Sequence, residues 1–391
     1  MGKYLIDERD LRFTLFEFLE LEKMNAYTRY EHFDRGMYED TIRLAQRIAK
    51  DQLFPVNTAG HRQGCTYDPD TRSVKLPPGY KEAARTLLDA GFLSISDDPA
   101  IGGSGMPLDV QTCCWEMFCG AGGALMLFLM LGHGAALMIR RFGSPEQKAL
   151  YVPKLLSGEW GGTMCLTEPE AGSDVGALKT KAVPQADGTY RITGRKCFIT
   201  NGDQDITEQI VYPVLARIEG DPPGTKGISL FIVPKYLVRE DGSLGERNDV
   251  YCTGIEKKMG AHGSATCSMS FGEDDRCIGY LLGERGRGMN IMFHMLNETR
   301  LEVGIMALGV GIGADAMWES LLAGRCGAGE ITLVDHKDYS VHFACEMRDF
   351  DPTQWMDAKE AKHVDRFTHF AMASAKVTLE NARFDITKTD A

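Results

Sequence analysis

Two short motifs constrain this chain more than anything else in it. Residues 165–174 read Cys-Leu-Thr-Glu-Pro-Glu-Ala-Gly-Ser-Asp, and residues 198–202 read Phe-Ile-Thr-Asn-Gly. Each places a threonine hydroxyl on a tight turn, bounded by Gly or Pro, at the end of an apolar segment. Thr, Asn, Gly and Ser are common turn residues, so either motif alone fits an ordinary β-turn on a sheet edge. The pair is more specific. Two such turns can hold a flat polar heterocycle between them and hydrogen-bond its edges.

The flanking sequence supplies a framework. Residues 161–280 hold short runs rich in β-branched and aromatic residues, at 189–193, 210–216, 227–233 and 265–271. Turn formers such as Asp187-Gly188 and Pro222-Pro-Gly224 separate them, the pattern of a β-domain. Residues 1–160 read as helical. Leu11, Leu15, Phe18 and Leu19 recur at helical spacing within 10–23, and 38–53 repeats the pattern up to a break at Pro55. Residues 61–79 read as loop, 78–90 as helix and 96–107 as a Gly/Pro loop. Ser144-Pro-Glu-Gln147 is a helix start, with a capping serine and proline in the first turn. Helical periodicity returns after Gly286. Residues 358–384 place Phe367, Phe370, Ala371, Ala375, Leu379 and Ala382 on one face.

At 391 residues and 43% hydrophobic, the chain can build two or three domains with sizeable cores. Its net charge of −12 argues against nucleic acid as a partner and means that an anionic ligand needs local basic groups. The eleven cysteines form no CxxC pair and no Cys/His cluster of metal-ligand spacing. No metal site is expected, and reduced thiols in a cytoplasmic protein are the simplest account. The N-terminus lacks the apolar core of a secretory signal. Residues 117–139 carry no formal charge apart from His133 and are long enough to cross a bilayer. Gly120, Gly122, Gly123, Gly132 and Gly134 weaken a lone helix there. A buried helix pair broken near Gly122-Gly123 is expected, and no membrane span.

The two motifs, in spacing and order, resemble the flavin-binding signature of the acyl-CoA dehydrogenase family. Residues 255–283 are similar to that family's Lys-x-Gly-x-(Arg/His)-x-Ser-x-Thr segment. The run 260–309 most resembles the subfamily that includes 3-methylthiopropionyl-CoA dehydrogenase. The resemblance implies an α+β fold of three parts: an N-terminal helical domain (1–160), a middle β-domain touching flavin and acyl-CoA (161–285), and a shortened C-terminal helical domain (286–391). It implies FAD as cofactor and acyl-CoA dehydrogenase activity on a CH–CH group. In that reaction a carboxylate removes the α-proton and the β-hydride passes to flavin N5. The product is enoyl-CoA, and the electrons go to an electron-transfer flavoprotein. Such chemistry needs hydrogen bonds that strengthen as an enolate develops, and a desolvated base.

By the same resemblance, Thr167 bonds the pyrimidine edge of the flavin, Leu166 offers backbone contact there, and Thr200 donates near N5. Phe198 replaces a tryptophan as a flat apolar wall. Ser173 lies near the pantetheine arm, and Arg300, in Asn297-Glu-Thr-Arg300, is a ligand-side cation. Glu168 and Asp174 read as structural carboxylates that bond backbone amides. The base is where the sequence departs from the family. Thr299 stands where one branch has a glutamate before the arginine, and there is no Tyr-Glu-Gly-Thr turn. Glu298 is therefore the catalytic candidate and Glu302 its alternative. The family's Arg-x-x-Phe-Gly segment, which holds the cofactor diphosphate from a neighbouring subunit, gives way to Ala323-Gly-Arg-Cys-Gly-Ala-Gly-Glu330. The chain either works with a displaced base or is a non-catalytic or half-site subunit of a heteromeric enzyme. A flavin oxidase or reductase on the same fold stays open. The implied partners are acyl-CoA, the electron-transfer flavoprotein, and a second copy or a homologous subunit.

Overall fold

The computed structural model describes residues 8–310, 328–330, 343–345 and 351–363. Six helices come first: α1 Glu8–Arg12, α2 Arg35–Ile48, α3 Phe54–Gln63, α4 Tyr80–Asp89, α5 Leu108–Phe142 and α6 Pro145–Leu156. Asp34 starts α2 by accepting from the Met37 amide at 2.8 Å. Tyr38, Ile42 and Ala45 of α2 pack with Ala83, Ala84 and Leu87 of α4 against Val110, Cys114 and Phe118 of α5. The expected interruption of α5 falls at Gly122, whose φ of −161° and ψ of 57° are non-helical. This helix is long and apolar enough to cross a membrane, and most of it is buried inside the protein. The helix start at Ser144 has the full capping box: Ser144 Oγ accepts from the Gln147 amide at 3.2 Å, and Gln147 Oε1 accepts from the Ser144 amide at 3.0 Å.

Three expectations need correction. The helix read at 10–23 is broken, because Glu20 adopts a left-handed φ of 50°. Pro55 does not end the helical run. It sits in the first turn of α3, where its missing N–H has no helical partner to lose. The loop read at 61–79 holds a hairpin, β1 Thr66–Asp68 with β2 Ser73–Lys75. Asp68 Oδ1 accepts from the Asp70 amide at 2.9 Å to make its turn, and Asp203 Oδ2 accepts from the Val74 amide at 2.9 Å to anchor it. Strands this short give no readable alternation.

The middle of the chain is β3 Gly161–Gly162, β4 Lys181–Pro184, β5 Tyr190–Thr200, β6 Ile210–Ile218, β7 Ile228–Pro234, β8 Tyr236–Val238, β9 Leu244–Arg247, β10 Val250–Ile255, β11 Thr266–Phe271 and β12 Ile278–Leu282. The main sheet runs β10-β11-β5-β12-β7-β6-β3, and β4 pairs with both β5 and β6. That second pairing closes β5, β12, β7, β6 and β4 into a ring. Phe231, Val214, Ile192 and Ala182 are buried in its core. Helix α7 Gly288–Val310 follows. Its Ile291, Met292 and Met295 share a core with Ala136 and Ile139 of α5 and with Leu230 and Ile232 of β7.

Two compact units are present, Met1–Gly309 and Val310–Ala391. In the second, β13 Ala328–Glu330 pairs antiparallel with β14 Phe343–Cys345. Asp357 caps a short helix at Ala358–Ala361, accepting from the Lys359 amide at 2.8 Å. The remainder of the helix read at 358–384 lies outside the described residues.

Candidate functional site

The first motif is reached along an extended segment beside β6. Gly161 N donates to Gln209 O at 2.9 Å, Thr163 N to Val211 O at 3.1 Å, and Cys165 N to Pro213 O at 2.8 Å. The chain then crosses to β5, where Cys197 N donates to Thr167 O at 2.9 Å. A second tie runs from Thr163 Oγ1 to Thr200 O at 2.6 Å. The two segments are thus knitted together by one backbone bond and one side-chain bond.

The second motif is the end of a strand with a bulge, closed by a turn in which Gly202 N donates to Ile199 O at 3.3 Å. Met269 pairs with Lys196 and Cys267 with Ile199, so Cys197 and Phe198 together oppose Ser268. Phe198 takes a left-handed φ of 58°, and the residue is 61% exposed. A bulge re-aims the side chain at its centre, and here it turns a phenyl ring out of the sheet. Asn201, at φ 53°, ends the strand. Gly202 packs so closely that a Cβ there would lie 2.8 Å from Met269 Sδ and 2.9 Å from Cys267 Cβ.

Beneath this edge is a buried ionic cluster. Lys196, with a fully buried side chain, donates to Glu168 Oε1 at 2.8 Å and to Leu166 O at 3.0 Å. Glu168 also accepts from Thr180 Oγ1 at 2.5 Å, from the Thr180 amide at 3.1 Å and from the Lys179 amide at 2.5 Å. Burial alone would push the Glu168 carboxyl up, but the Lys196 ammonium and these hydrogen bonds outweigh it and hold the group below its ordinary value. Burial pushes the Lys196 ammonium down against the pull of Glu168. A carboxylate so fully engaged is scaffolding, in line with its reading as a structural group. Asp174 differs: it is exposed, and its carboxylate makes no hydrogen bond among the described residues.

Thr167 and Thr200 are half-buried, and neither hydroxyl has a hydrogen-bond partner among the described residues. The local turn bond that would explain a threonine here is absent from both. Ser173 is exposed on the loop after Thr167. Arg300 is exposed on α7, where Nη1 donates to Asn297 Oδ1 at 3.0 Å and the guanidinium lies 5.8 Å from the Phe293 ring centroid. Glu298 falls on the same helix, outside the residues whose side chains are described. Glu302 is buried close to Cys119 of α5. The hydroxyl of Thr299 is buried without a partner.

Sequence reasoning missed Lys196. Its signal was a lysine inside the β-run Ile192-Thr-Gly-Arg-Lys-Cys-Phe198, at a position whose neighbours are buried. It also gave no role to the edge beyond Thr200. There Thr266 pairs with Thr200, Asn201 N donates to Ala265 O at 2.7 Å, and Ser264 Oγ donates to Asn201 Oδ1 at 3.4 Å.

Comparison with known proteins agrees with this layout. Residues 65–159 match the family "Acyl-CoA dehydrogenase, N-terminal domain" and residues 163–273 match "Acyl-CoA dehydrogenase, middle domain". A butyryl-CoA dehydrogenase of Syntrophomonas wolfei is 42% identical over 316 residues, covering 78% of this chain and 51% of its own length. A 3-methylmercaptopropionyl-CoA dehydrogenase of Ruegeria pomeroyi is 36% identical over 322 residues, covering 82% of this chain and 54% of its own. The crystal structure of an acyl-CoA dehydrogenase complexed with FAD from Bacillus anthracis aligns with a TM-score of 0.55 at 28% identity, covering 72% of this chain and 43% of that one. The chain spans about half the length of the curated relatives it matches. Residues 303–391 match a different family, "Beta-ketoacyl synthase, N-terminal domain". The stretch where the first resemblance fades thus carries one of its own. Through its N-terminal and middle domains, this chain belongs to the acyl-CoA dehydrogenase family of FAD-containing oxidoreductases.

Proposed function

We propose that this chain is an FAD-dependent acyl-CoA dehydrogenase that passes electrons to an electron-transfer flavoprotein. One observation carries the reading. Thr167 and Thr200 are tied together through Cys197 and Thr163, and each leaves its hydroxyl unpartnered among the described residues, beside the outward-facing ring of Phe198. That set fits an isoalloxazine, which needs a flat apolar wall and donors along its polar edges. When bound, the flavin supplies the acceptor for the electrons leaving a Cα–Cβ bond. Thr167 and Thr200 orient it by donating from two sides. Leu166 offers its N–H, its carbonyl being already held by Lys196. Ser173 and Arg300 bind the acyl-CoA, and Glu298 holds the proton taken from Cα.

A second reading has its own support. Thr299 occupies a position where the family can carry its base, and from residue 303 the chain matches another family. A half-site subunit completed by a homologous partner fits both facts. We divide the chain into a helical domain (1–160), a β-domain (161–285) and a C-terminal helical domain (286–391), within which residues 303–391 carry the synthase match. We place the protein in the cytoplasm.

The test is spectroscopic. The purified chain should be yellow, and its flavin band should bleach when acyl-CoA is added without oxygen. A colourless protein that takes up no FAD ends the proposal. A yellow protein that bleaches only when a homologous subunit co-purifies selects the second reading.

A further inference from the structure

A cavity of about 740 Å³ lies between helix α6, the tip of the β8–β9 hairpin and strand β12. None of the residues lining it belongs to the two signature segments. Its apolar wall is Leu150 and Pro153 of α6 and Val238 of β8, beside Tyr151 and Tyr280. The hairpin tip is held in shape by its own bonds. Arg239 N donates to Ser243 O at 2.9 Å, Gly242 N donates to Arg239 O at 2.9 Å, and Asp241 Oδ1 accepts from Ser243 Oγ at 2.6 Å. Gly242, at φ 80°, brings the tip so near α6 that a Cβ there would lie 3.9 Å from Leu150 Cδ1. The cavity is therefore preformed, and its volume is that of a small-molecule site.

Two phenols are left open in it. Tyr151 is only 3% exposed, yet its hydroxyl makes no hydrogen bond among the described residues. The hydroxyl of half-buried Tyr280 makes none either. A buried tyrosine ordinarily finds a partner for its O–H. Burial pushes both phenols up, so both stay neutral and can accept as well as donate. The charges at the mouth lean one way. Lys154 is taken by Glu159 at 2.6 Å, and Arg239 gives Nη1 to Leu244 O at 2.8 Å and to Ser243 Oγ at 3.2 Å. The carboxylates of Glu146, Glu240 and Asp241 line the same mouth, and Glu240 is exposed with no ion pair or hydrogen bond among the described residues. A mouth of this sign repels anions, the phosphates of flavin nucleotides and coenzyme A among them.

We infer that this cavity binds a primary amine with an apolar body, at a site separate from the flavin signature. The body lies against Leu150, Pro153 and Val238. An ammonium has three N–H bonds to give, and the two phenol oxygens and the Glu240 carboxylate are three acceptors without a donor among the described residues. The amine thus completes what this part of the fold leaves open. The inference stands apart from the FAD reading and does not need it.

The experiment compares probes that share an apolar body and differ in charge: phenylbutylamine, phenylbutanol and phenylbutyrate, each titrated calorimetrically into the full chain. The amine should bind about threefold more tightly than the alcohol at low salt, the worth of one exposed charge pair, and the carboxylate should bind most weakly. Glu240→Gln should bring the amine down to the level of the alcohol, and added salt should do the same. Tyr151→Phe should weaken the amine about threefold, the worth of one hydrogen bond. Leu150→Trp, which fills the cavity, should abolish binding of all three. If that variant fails to fold, Glu240→Gln, a change at an exposed position, still decides. No binding of the amine, equal binding of amine and carboxylate, or an amine affinity that Glu240→Gln leaves untouched overturns the inference. So does binding that survives Leu150→Trp, or an amine that binds only by displacing flavin.

Discussion

The inner and outer faces of the two signature segments use neighbouring residues in opposite ways. Inward, Glu168 and Lys196 are sealed from water and saturated with hydrogen bonds. Outward, one residue from Glu168 and four from Lys196, Thr167 and Thr200 leave their hydroxyls unpartnered among the described residues, and Phe198 is exposed. The contrast separates the groups that build this edge from those it leaves open. A buried ion pair that bonds three donors besides its lysine has no capacity left for a ligand. Half-exposed hydroxyls held by backbone ties have that capacity and keep their position without using it.

The largest test of this contrast is on the inner face. Glu168→Gln leaves a buried lysine uncompensated and should cost about 3–5 kcal/mol of unfolding free energy in urea titration, and Lys196→Met should cost a similar amount. A loss below about 1 kcal/mol from both would show that the pair is not the strut described here. Gly202→Ala comes next. Its Cβ has no room beside Met269 and Cys267, and the expected loss is about 1–3 kcal/mol, with flavin affinity falling too because the Thr200 end of β5 must shift. Unaltered thermal stability would contradict that packing.

Acid gives a third test. The Glu168 carboxyl is held below its ordinary value, so its stabilisation is fully present above about pH 4.3, the unfolded value, and is lost as pH falls through the lower folded one. Stability measured downward from pH 5 should fall less steeply in Glu168→Gln than in the parent; parallel curves would remove Glu168 from the account. The smallest effect on stability belongs to the outer face. Thr167→Val and Thr200→Val should stay within about 0.5 kcal/mol of the parent. Each should nevertheless weaken flavin binding by roughly 0.5–1.5 kcal/mol, the worth of one hydrogen bond. A stability loss as large as that of Glu168→Gln would erase the difference between the faces.

Much of the fold was legible because it follows periods and punctuation. Apolar spacing marked α2 and α4, Ser144-Pro-Glu-Gln147 marked the start of α6, and paired glycines marked the break in α5 at Gly122. Other features had no local signal. The β1–β2 hairpin is too short to alternate, and its anchor, Asp203, lies far along the chain. Lys196 looked like an ordinary strand lysine until Glu168 was found beside it. The bulge that turns Phe198 outward depends on register with β11, which no single strand encodes.

By itself the sequence determined the chemistry available: two hydroxyl-bearing motifs in order, a carboxylate among turn residues, and a β-domain set after helices. It could do so because side-chain type and near-neighbour spacing are local properties. Only the tertiary structure decided which groups are occupied and which are open. Burial, ion pairing and the exposure of a ring arise from contacts between segments distant in sequence. That is why Glu168 became a strut while the hydroxyl of Thr167, the residue beside it, stayed unpartnered among the described residues.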